Sequence, residues 1–493
     1  MDEASFLTIR NRDKLFIGGE WVAPASPATI RIVSPNSEQV VSEVAEGGNA
    51  DMDRAVAAAR DAFDHGPWPR MAVAERVAAI RRMVEHLRGR EPELAAAWTL
   101  QMGGLSTMAP GMASGGTMTF EGYAAMAEKF PFEQRVETPM NPAAFILREP
   151  VGVVAAIAPW NAPYSIMAGK VAPALASGCT VIMKPSPETP LEAYIIAEAA
   201  EAAGLPPGVL NLVVSHREAA HHLVSNPGVD KVSFTGSTAA GRMIASTCGE
   251  RIARCTLELG GKSAVVVLDD YSTPDAAKLL AGTITMLSGQ VCAMLSRAIV
   301  PRKRHDELAD AIAAEMKQTR IGYSDAPETQ LGPLAMERQR DRVEHYIELG
   351  KSAGADLVTG GGRPAHLNRG FFIEPTLFAN VTSDMQIAQD EIFGPVLSLM
   401  PCEDEEDAIR IANESIYGLN GSVLTHDNDA AYRVGKQVRT GGFGQNGMRL
   451  DFTLPFGGYK QSGLGREGGQ EGLLAYTEMK TMLLDGAPSH LAA

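Results

Sequence analysis

The sequence predicts an α/β fold of two lobes, each a parallel sheet covered by helices. Three observations predict it. A chain of 493 residues is long enough for more than one buried core. From residue 151 onward, short apolar runs alternate with helical segments, the rhythm of a parallel sheet with crossover helices. The same rhythm starts again at "SAVVVLDD", residues 263–270.

Taken in order, residues 15–45 carry short strand-like pieces with turn residues, such as "FIGGEW" and "VSPNSE". Residues 51–104 read as helices, rich in Ala, Arg and Glu with apolar spacings of three and four. "VGVVAAIA" is an apolar run fit for a strand buried on both faces. There follow a helix near 165–177, "TVIMKPS", a helix over 190–203, "VLNLVV", a helix near 217–225, "VDKVSFTGS", a helix over 238–248, and "TLELGG". The second block adds a helix near 274–287, "RAIVP", a helix near 304–318, and strands around 371–377 and 396–401. A cleft is expected between the lobes. The tail from residue 470 reads as a helical piece followed by "YTEMKTMLL", an added edge strand.

Composition narrows the function. Hydrophobic residues make up 45% and charged residues 21%, an ordinary soluble mix. A net charge of −15 argues against nucleic acid as the main partner. The five cysteines form no CxxC pair and there is no HExxH string, so no metal site is signalled. An odd, sparse cysteine set suits a reducing cytoplasm. "MDEASFLTIRNRD" lacks a basic stretch followed by an apolar run, so no signal peptide is expected. The most apolar region, 151–183, is broken by Pro159, Asn161, Pro163, Lys170 and Pro173, which speaks against a membrane span.

Cys292, in "TMLSGQVCAMLSRAIV", is either a buried apolar filler or a nucleophile. "SFTGSTAAG" ends a strand and opens a helix, a turn that aims backbone N–H groups at an anion, although a plain tight turn fits it equally. Four further strings decide: "PWNAP" (159–163), "MKPSPETP" (183–190), "LELGGKS" (257–263) and "DEIFGPV" (390–396). With "GQVC" and "PFGGYKQSGLGRE" (455–467), they resemble the NAD(P)-dependent aldehyde dehydrogenase family across nearly the whole chain.

That resemblance implies a Rossmann-like NAD-binding domain (1–127 and 150–260), a catalytic domain (261–445) and a small β oligomerisation arm (128–149 and 470–493). It implies Cys292 as nucleophile, Glu258 as general base and Asn161 as amide donor to the oxyanion, with Lys170 and Glu467 linked to proton movement. Lys184 is expected at the adenosine ribose and Glu391 at the nicotinamide ribose. Gly236 and Ser237 fall at the pyrophosphate, and Trp160 and Phe393 line the cofactor site, Phe393 near the nicotinamide. No metal is implied. Chemistry makes sense of these types: a thiolate adds to an aldehyde readily, and the thioester left after hydride loss hydrolyses readily. A free thiol has a pKa of about 8.5, so some activation of Cys292 is expected. Partial burial is expected to raise Glu258 toward the operating range. Each residue also has a plainer reading: Glu258 in an ion pair with a lysine, Asn161 as a helix N-cap, Lys184 and Glu391 as solvated charges, Glu467 as a helix-start carboxylate.

The sequence departs from the family in places. Many members carry Glu three residues after the adenosine-site lysine; here that residue is Pro187, with Glu188 one step later. His216 and Arg217 stand where small residues are common, and an arginine there suits a 2′-phosphate. NAD is expected, with NADP as the alternative. Leu287 replaces an Asn common five residues before the cysteine. Ala162 and Gly169 replace tunnel aromatics, and Ile166, Met448, Leu450 and Phe452 supply apolar walls, which together predict a bulky hydrophobic aldehyde. Arg449 and Asp451 fit those walls only if they point away. The expected partners are this aldehyde and other copies of the chain, as a homodimer or homotetramer. Competing readings are a coenzyme A-acylating relative, disfavoured by Glu258; a non-catalytic protein of the same fold; and a cysteine hydrolase, which would want a histidine base.

Overall fold

The computed structural model describes residues 7–488. Residues 1–6 of the N-terminal stretch read above, and 489–493 of the expected arm, lie outside the described residues. A long helix, α1 (Ala109–Lys129), precedes the first alternating block. That block is β1 (Val153–Ile157), α2 (Pro163–Ser177), β2 (Thr180–Lys184), α3 (Leu191–Ala202), β3 (Leu210–Leu212), α4 (Arg217–Ser225), β4 (Lys231–Thr235), α5 (Thr238–Glu250) and β5 (Arg254–Glu258). Every residue of β1, β2 and β4 is buried, as expected of strands covered on both faces. The signals that bound α2 are local: Pro163 opens it, and Gly178, at φ 96°, closes it in the left-handed region.

The five strands run parallel in the order β3-β2-β1-β4-β5. The chain winds outward from β1 through β3, then returns to the other side of β1 with β4. This reversal puts a crevice at the carboxyl ends of β1 and β4, where open α/β sheets bind ligands. On the far side, Gly463–Leu464 pairs antiparallel with β5, setting Gly463 opposite Glu258.

The second block is β6 (Ser263–Val267), α6 (Thr273–Thr285), β7 (Leu295–Pro301), α7 (His305–Lys317), α8 (Glu337–Ser352), β8 (Thr376–Ala379), β9 (Val396–Cys402) and β10 (Gly421–Leu424). These strands are parallel in the order β8-β9-β7-β6-β10. The strand expected at 371–377 starts later, at Thr376. Pro375 cannot donate to a ladder, so Phe371, Phe372 and Ile373 pack as buried loop instead.

The tail forms a short helix, Gly469–Leu474, and then the strand Thr477–Leu484. That strand is the edge of a separate three-stranded sheet with Asn141–Pro150 and Glu133–Thr138. No helix among the described residues is long and apolar enough to cross a membrane.

Candidate active site

The carboxyl ends of the first sheet meet the loop that carries Cys292. That loop turns through three consecutive left-handed residues, Leu287 (φ 48°), Ser288 (φ 55°) and Gly289 (φ 74°). A side chain at Gly289 would put its Cβ 2.1 Å from the Gly394 carbonyl, so only glycine fits there. Leucine is a poor residue for the left-handed region, whereas asparagine is tolerated in it. This gives the Leu287 departure a physical meaning that sequence alone did not supply.

Gln290 fixes the loop to its surroundings. Its backbone carbonyl accepts from Asn161 Nδ2 at 2.9 Å, its Oε1 accepts from the Ala335 N–H at 2.9 Å, and its Nε2 donates to the Leu287 carbonyl at 3.0 Å. Trp98 Nε1 holds the Asn161 carbonyl at 3.0 Å. Asn161 therefore does not cap α2, whose N-cap is Ala162 with no side-chain bond. Its amide is anchored beside the cysteine loop instead. The Gly-Gln pair before Cys292 was the one visible trace of this arrangement.

Cys292 is half-buried. Burial, then the nearby Glu391 and Glu258 carboxylates, push its thiol up to about 12, opposed by the Ala293 and Cys292 N–H groups. The surroundings here are acidic and desolvating, and both favour the neutral form of the thiol.

Glu258 ends β5 and is buried, yet neither carboxylate oxygen has a hydrogen-bond partner among the described residues. Burial, then Glu467, hold it well above the usual carboxylate range, against the pull of Lys170 and Arg466. A Cβ at Gly457 would sit 2.6 Å from Glu258 Oε1, so that glycine makes room for the carboxylate. The ion pair that seemed open to Glu258 belongs to another residue. Lys170 Nζ bonds Glu467 Oε1 at 2.5 Å and Thr235 Oγ1 at 2.8 Å. Ser233 Oγ adds a 3.2 Å bond to Glu467 Oε1. Glu467 is thus a buried ion-pair partner rather than a helix-start charge.

Lys184, at the carboxyl end of β2, is buried and makes no hydrogen bond with the described residues; burial pulls its ammonium down to about 8. Glu188 follows, its carboxylate accepting from Ser186 Oγ and paired with Arg338 Nη2 at 2.6 Å. Glu391 accepts from the Gly261 N–H at 3.2 Å, and burial raises it to about 7. A Cβ at Gly260 would stand 2.4 Å from the Glu391 carboxylate. Phe393 has a left-handed backbone (φ 62°) and meets Trp160 edge to face, ring centroids 5.3 Å apart. The Gly236 N–H is taken by the Glu258 carbonyl at 3.0 Å, and Ser237 Oγ caps α5 by accepting from Ala240. Gly236 therefore does not offer its own N–H to an anion; the first turn of α5 remains to do so.

A Cβ at Gly169 would meet nothing nearer than Glu467 Oε2 at 4.0 Å, whereas one at the buried Gly116 on α1 would stand 2.4 Å from the Tyr164 ring. Phe452 is exposed and packs on Phe456, while Ile166 and Met448 are partly buried against the cores. The charges that troubled an apolar wall are engaged locally: Asp451 accepts from Thr453, and Arg449 donates to the Gln445 carbonyl.

The sequence profile described as the aldehyde dehydrogenase family matches residues 21–482. A geranial dehydrogenase from Castellaniella defragrans is 43% identical over 96% of this chain and 98% of its own. An aldehyde dehydrogenase of Mycobacterium tuberculosis, solved with NAD+, superposes with a TM-score of 0.93 at 43% identity, covering 96% of this chain and 98% of that one. A mutant of aldehyde dehydrogenase C from Pseudomonas syringae, solved with NAD+ and octanal, gives 0.92 at 38% identity, covering 98% of each chain.

Proposed function

The chain belongs to the aldehyde dehydrogenase family, and from that premise we propose that it oxidises a bulky hydrophobic aldehyde to its carboxylic acid, with NAD as cofactor and Cys292 as nucleophile. The observation that carries this reading is the convergence on one loop. Cys292, the anchored Asn161 amide and the unpartnered Glu258 carboxylate meet where the two lobes face each other.

The residues present fit the cofactor. Lys184 is a buried ammonium with no hydrogen bond to its side chain among the described residues, as expected of a group that binds ribose hydroxyls. Glu391, held against Gly260 and Gly261, would accept from the second ribose, and the Trp160–Phe393 pair would line the nicotinamide end. When bound, NAD supplies the acceptor for the hydride.

Burial and the nearby carboxylates favour the neutral Cys292 thiol, so its proton leaves to solvent water as sulfur adds to the aldehyde carbon. The Asn161 amide and the Cys292 N–H then hold the oxyanion; losing one such donor costs on the order of 10²–10³ in rate. After hydride loss the acyl group remains on sulfur, and Glu258 draws a proton from water to hydrolyse it. Lys170 and Glu467, 2.5 Å apart behind the base, carry the proton onward.

The substrate class rests on the space beside Gly169 and on relatives named for geranial or solved with octanal. We place the enzyme in the cytoplasm as a homodimer or homotetramer. The unpaired edge of Thr477–Leu484, with Met479 and Leu483 exposed, supports pairing through the arm. A panel of aldehydes with NAD tests the whole. Branched or linear eight- to ten-carbon aldehydes are expected to exceed acetaldehyde in kcat/KM, each buried methylene adding about 0.8 kcal/mol until the wall is reached. Cys292→Ala is expected to abolish NADH production; activity within tenfold of the parent would remove Cys292 from its role. Acetaldehyde as the better substrate would leave the family assignment standing and overturn the wide tunnel.

A further inference from the structure

Asn161, the amide assigned to the oxyanion, stands outside every regular element: β1 ends at Ile157 and α2 opens at Pro163. Secondary structure therefore does not fix its position, and contacts from distant segments do. Its Nδ2 donates to the Gln290 carbonyl at 2.9 Å. An amide nitrogen carries two hydrogens, so one remains for a developing oxyanion. Its backbone carbonyl accepts from Trp98 Nε1 at 3.0 Å, a buried bond between residues 63 positions apart. The first bond orients the amide. The second holds the backbone from which that side chain springs.

Trp98 lies on the helix Glu91–Met102 and is 3% exposed, so its plainer role is to fill the core. Two observations give it more. Trp68 is fully buried, yet its indole N–H has no hydrogen-bond partner among the described residues. The fold thus tolerates an idle buried indole, whereas Trp98 fills space with its N–H aimed at one carbonyl. The second observation is that this indole is held firmly. A Cβ at Gly104 would stand 2.4 Å from three carbons of its six-membered ring, so only glycine lets the chain lie against it. One turn after Trp98, Gln101 ties the same helix to α3, donating to Glu192 and accepting from the Leu191 N–H at 3.3 Å. A donor locked in this way cannot follow Asn161 if that residue drifts, which is what positioning requires.

We propose that Trp98 is the positioning residue of the oxyanion donor: by holding the Asn161 carbonyl, it keeps the free hydrogen of the Asn161 amide aimed beside Cys292. The inference rests on the oxyanion role given to Asn161 above. Trp98 touches no reacting atom. Its effect falls on addition of the thiol, when negative charge forms on the aldehyde oxygen, because such donors must stand in place before the charge develops. Misplacement by about 1 Å can cost on the order of 10²-fold in rate. Loss of the indole N–H loosens the amide without removing it, since Gln290 still holds the side chain.

The test is a double-mutant cycle on the full-length protein, read from the rate constant of the NADH burst with octanal and saturating NAD. Trp98→Phe is expected to slow the burst about tenfold, and Asn161→Ala about 10²-fold or more. The double variant is expected to match Asn161→Ala within about twofold, because a group that acts through the amide then has nothing left to position. A core filler instead loses the same factor in both backgrounds, so losses that multiply overturn the proposal. Trp98→benzothienylalanine keeps the shape of the ring and puts sulfur in place of the N–H, which separates the bond from the packing. It is expected to slow the burst about tenfold as well. A burst within about twofold of the parent in either Trp98 variant overturns the proposal. If Trp98→Phe does not fold, the benzothienylalanine variant carries the same cycle. A burst in Asn161→Ala within about threefold of the parent is a different failure: it removes the oxyanion role itself, and the proposal falls with it.

Discussion

Glu258 and Glu467 lie close enough to influence each other, yet their surroundings are opposite. Glu467 is bonded to the Lys170 ammonium and the Ser233 hydroxyl, and Lys170 is itself held by Thr235. Glu258 has no bond to either oxygen. Two identical side chains are thus given different work by what is placed beside them. The paired region holds its carboxylate against a cation and a hydroxyl. The unpaired region spends stability to keep a carboxylate available on the side of Cys292.

The sharpest way to break this comparison is kinetic. Glu258→Gln is expected to slow deacylation by about 10²-fold or more. A stopped-flow burst of NADH near one equivalent per site should survive and be followed by a slow steady state. Loss of the burst along with the steady state would place Glu258 before acylation, and addition of coenzyme A would then show whether a thiol relieves the block.

Stability should move in opposite directions at the two regions. Lys170→Met leaves the partly buried Glu467 without the cation it bonds and is expected to destabilise by about 3 kcal/mol or more in urea. Glu258→Gln should stabilise by about 1 kcal/mol at alkaline pH. The sign follows from proton binding. The folded state keeps the Glu258 proton above the pH at which the unfolded chain releases it, so native stability falls as pH rises from the usual carboxylate range toward the raised folded value. The glutamine variant lacks that slope, and thermal melts from pH 5 to 8 measure it. Parallel pH dependence in parent and variant would show that Glu258 is not the strained group.

The smallest effect tests the paired side alone. Gly169 lies inside α2, and an added Cβ would stand 4.0 Å from Glu467 Oε2. Gly169→Ala should therefore gain about 1 kcal/mol of helix stability and change kcat/KM for acetaldehyde less than about threefold. A larger loss would mean that the Lys170–Glu467 pair has no tolerance for a methyl group.

Much of this was legible in sequence because it is local. β1 is a continuous apolar run, β2 has an apolar centre between Thr180 and Lys184, and the helices begin and end within a few residues of their expected bounds. Contacts between distant segments were not legible. Gln290 reaches Asn161 across 129 positions, and Lys170 reaches Glu467 across 297. Neither spacing leaves a periodic trace. The surroundings of Cys292 were hidden for the same reason: the carboxylates that oppose its ionisation come from β5 and from the segment before β9. The late start of β8 had a visible cause in Pro375, outweighed by the apolar run around it.

The antiparallel return of Gly463–Leu464 onto β5 has a consequence for the order in which a ribosome releases the chain. The nucleophile loop and the strand bearing Glu258 emerge some 165 residues or more before Gly457, Gly463 and Glu467, which shelter that strand end and pair with Lys170. A nascent chain stopped short of residue 455 therefore exposes β5 as a bare edge and leaves Lys170 without its counter-ion. Assembly of the reactive centre waits for residues 455–467, so a polypeptide that lacks them holds the thiol without the surroundings that would put it to use.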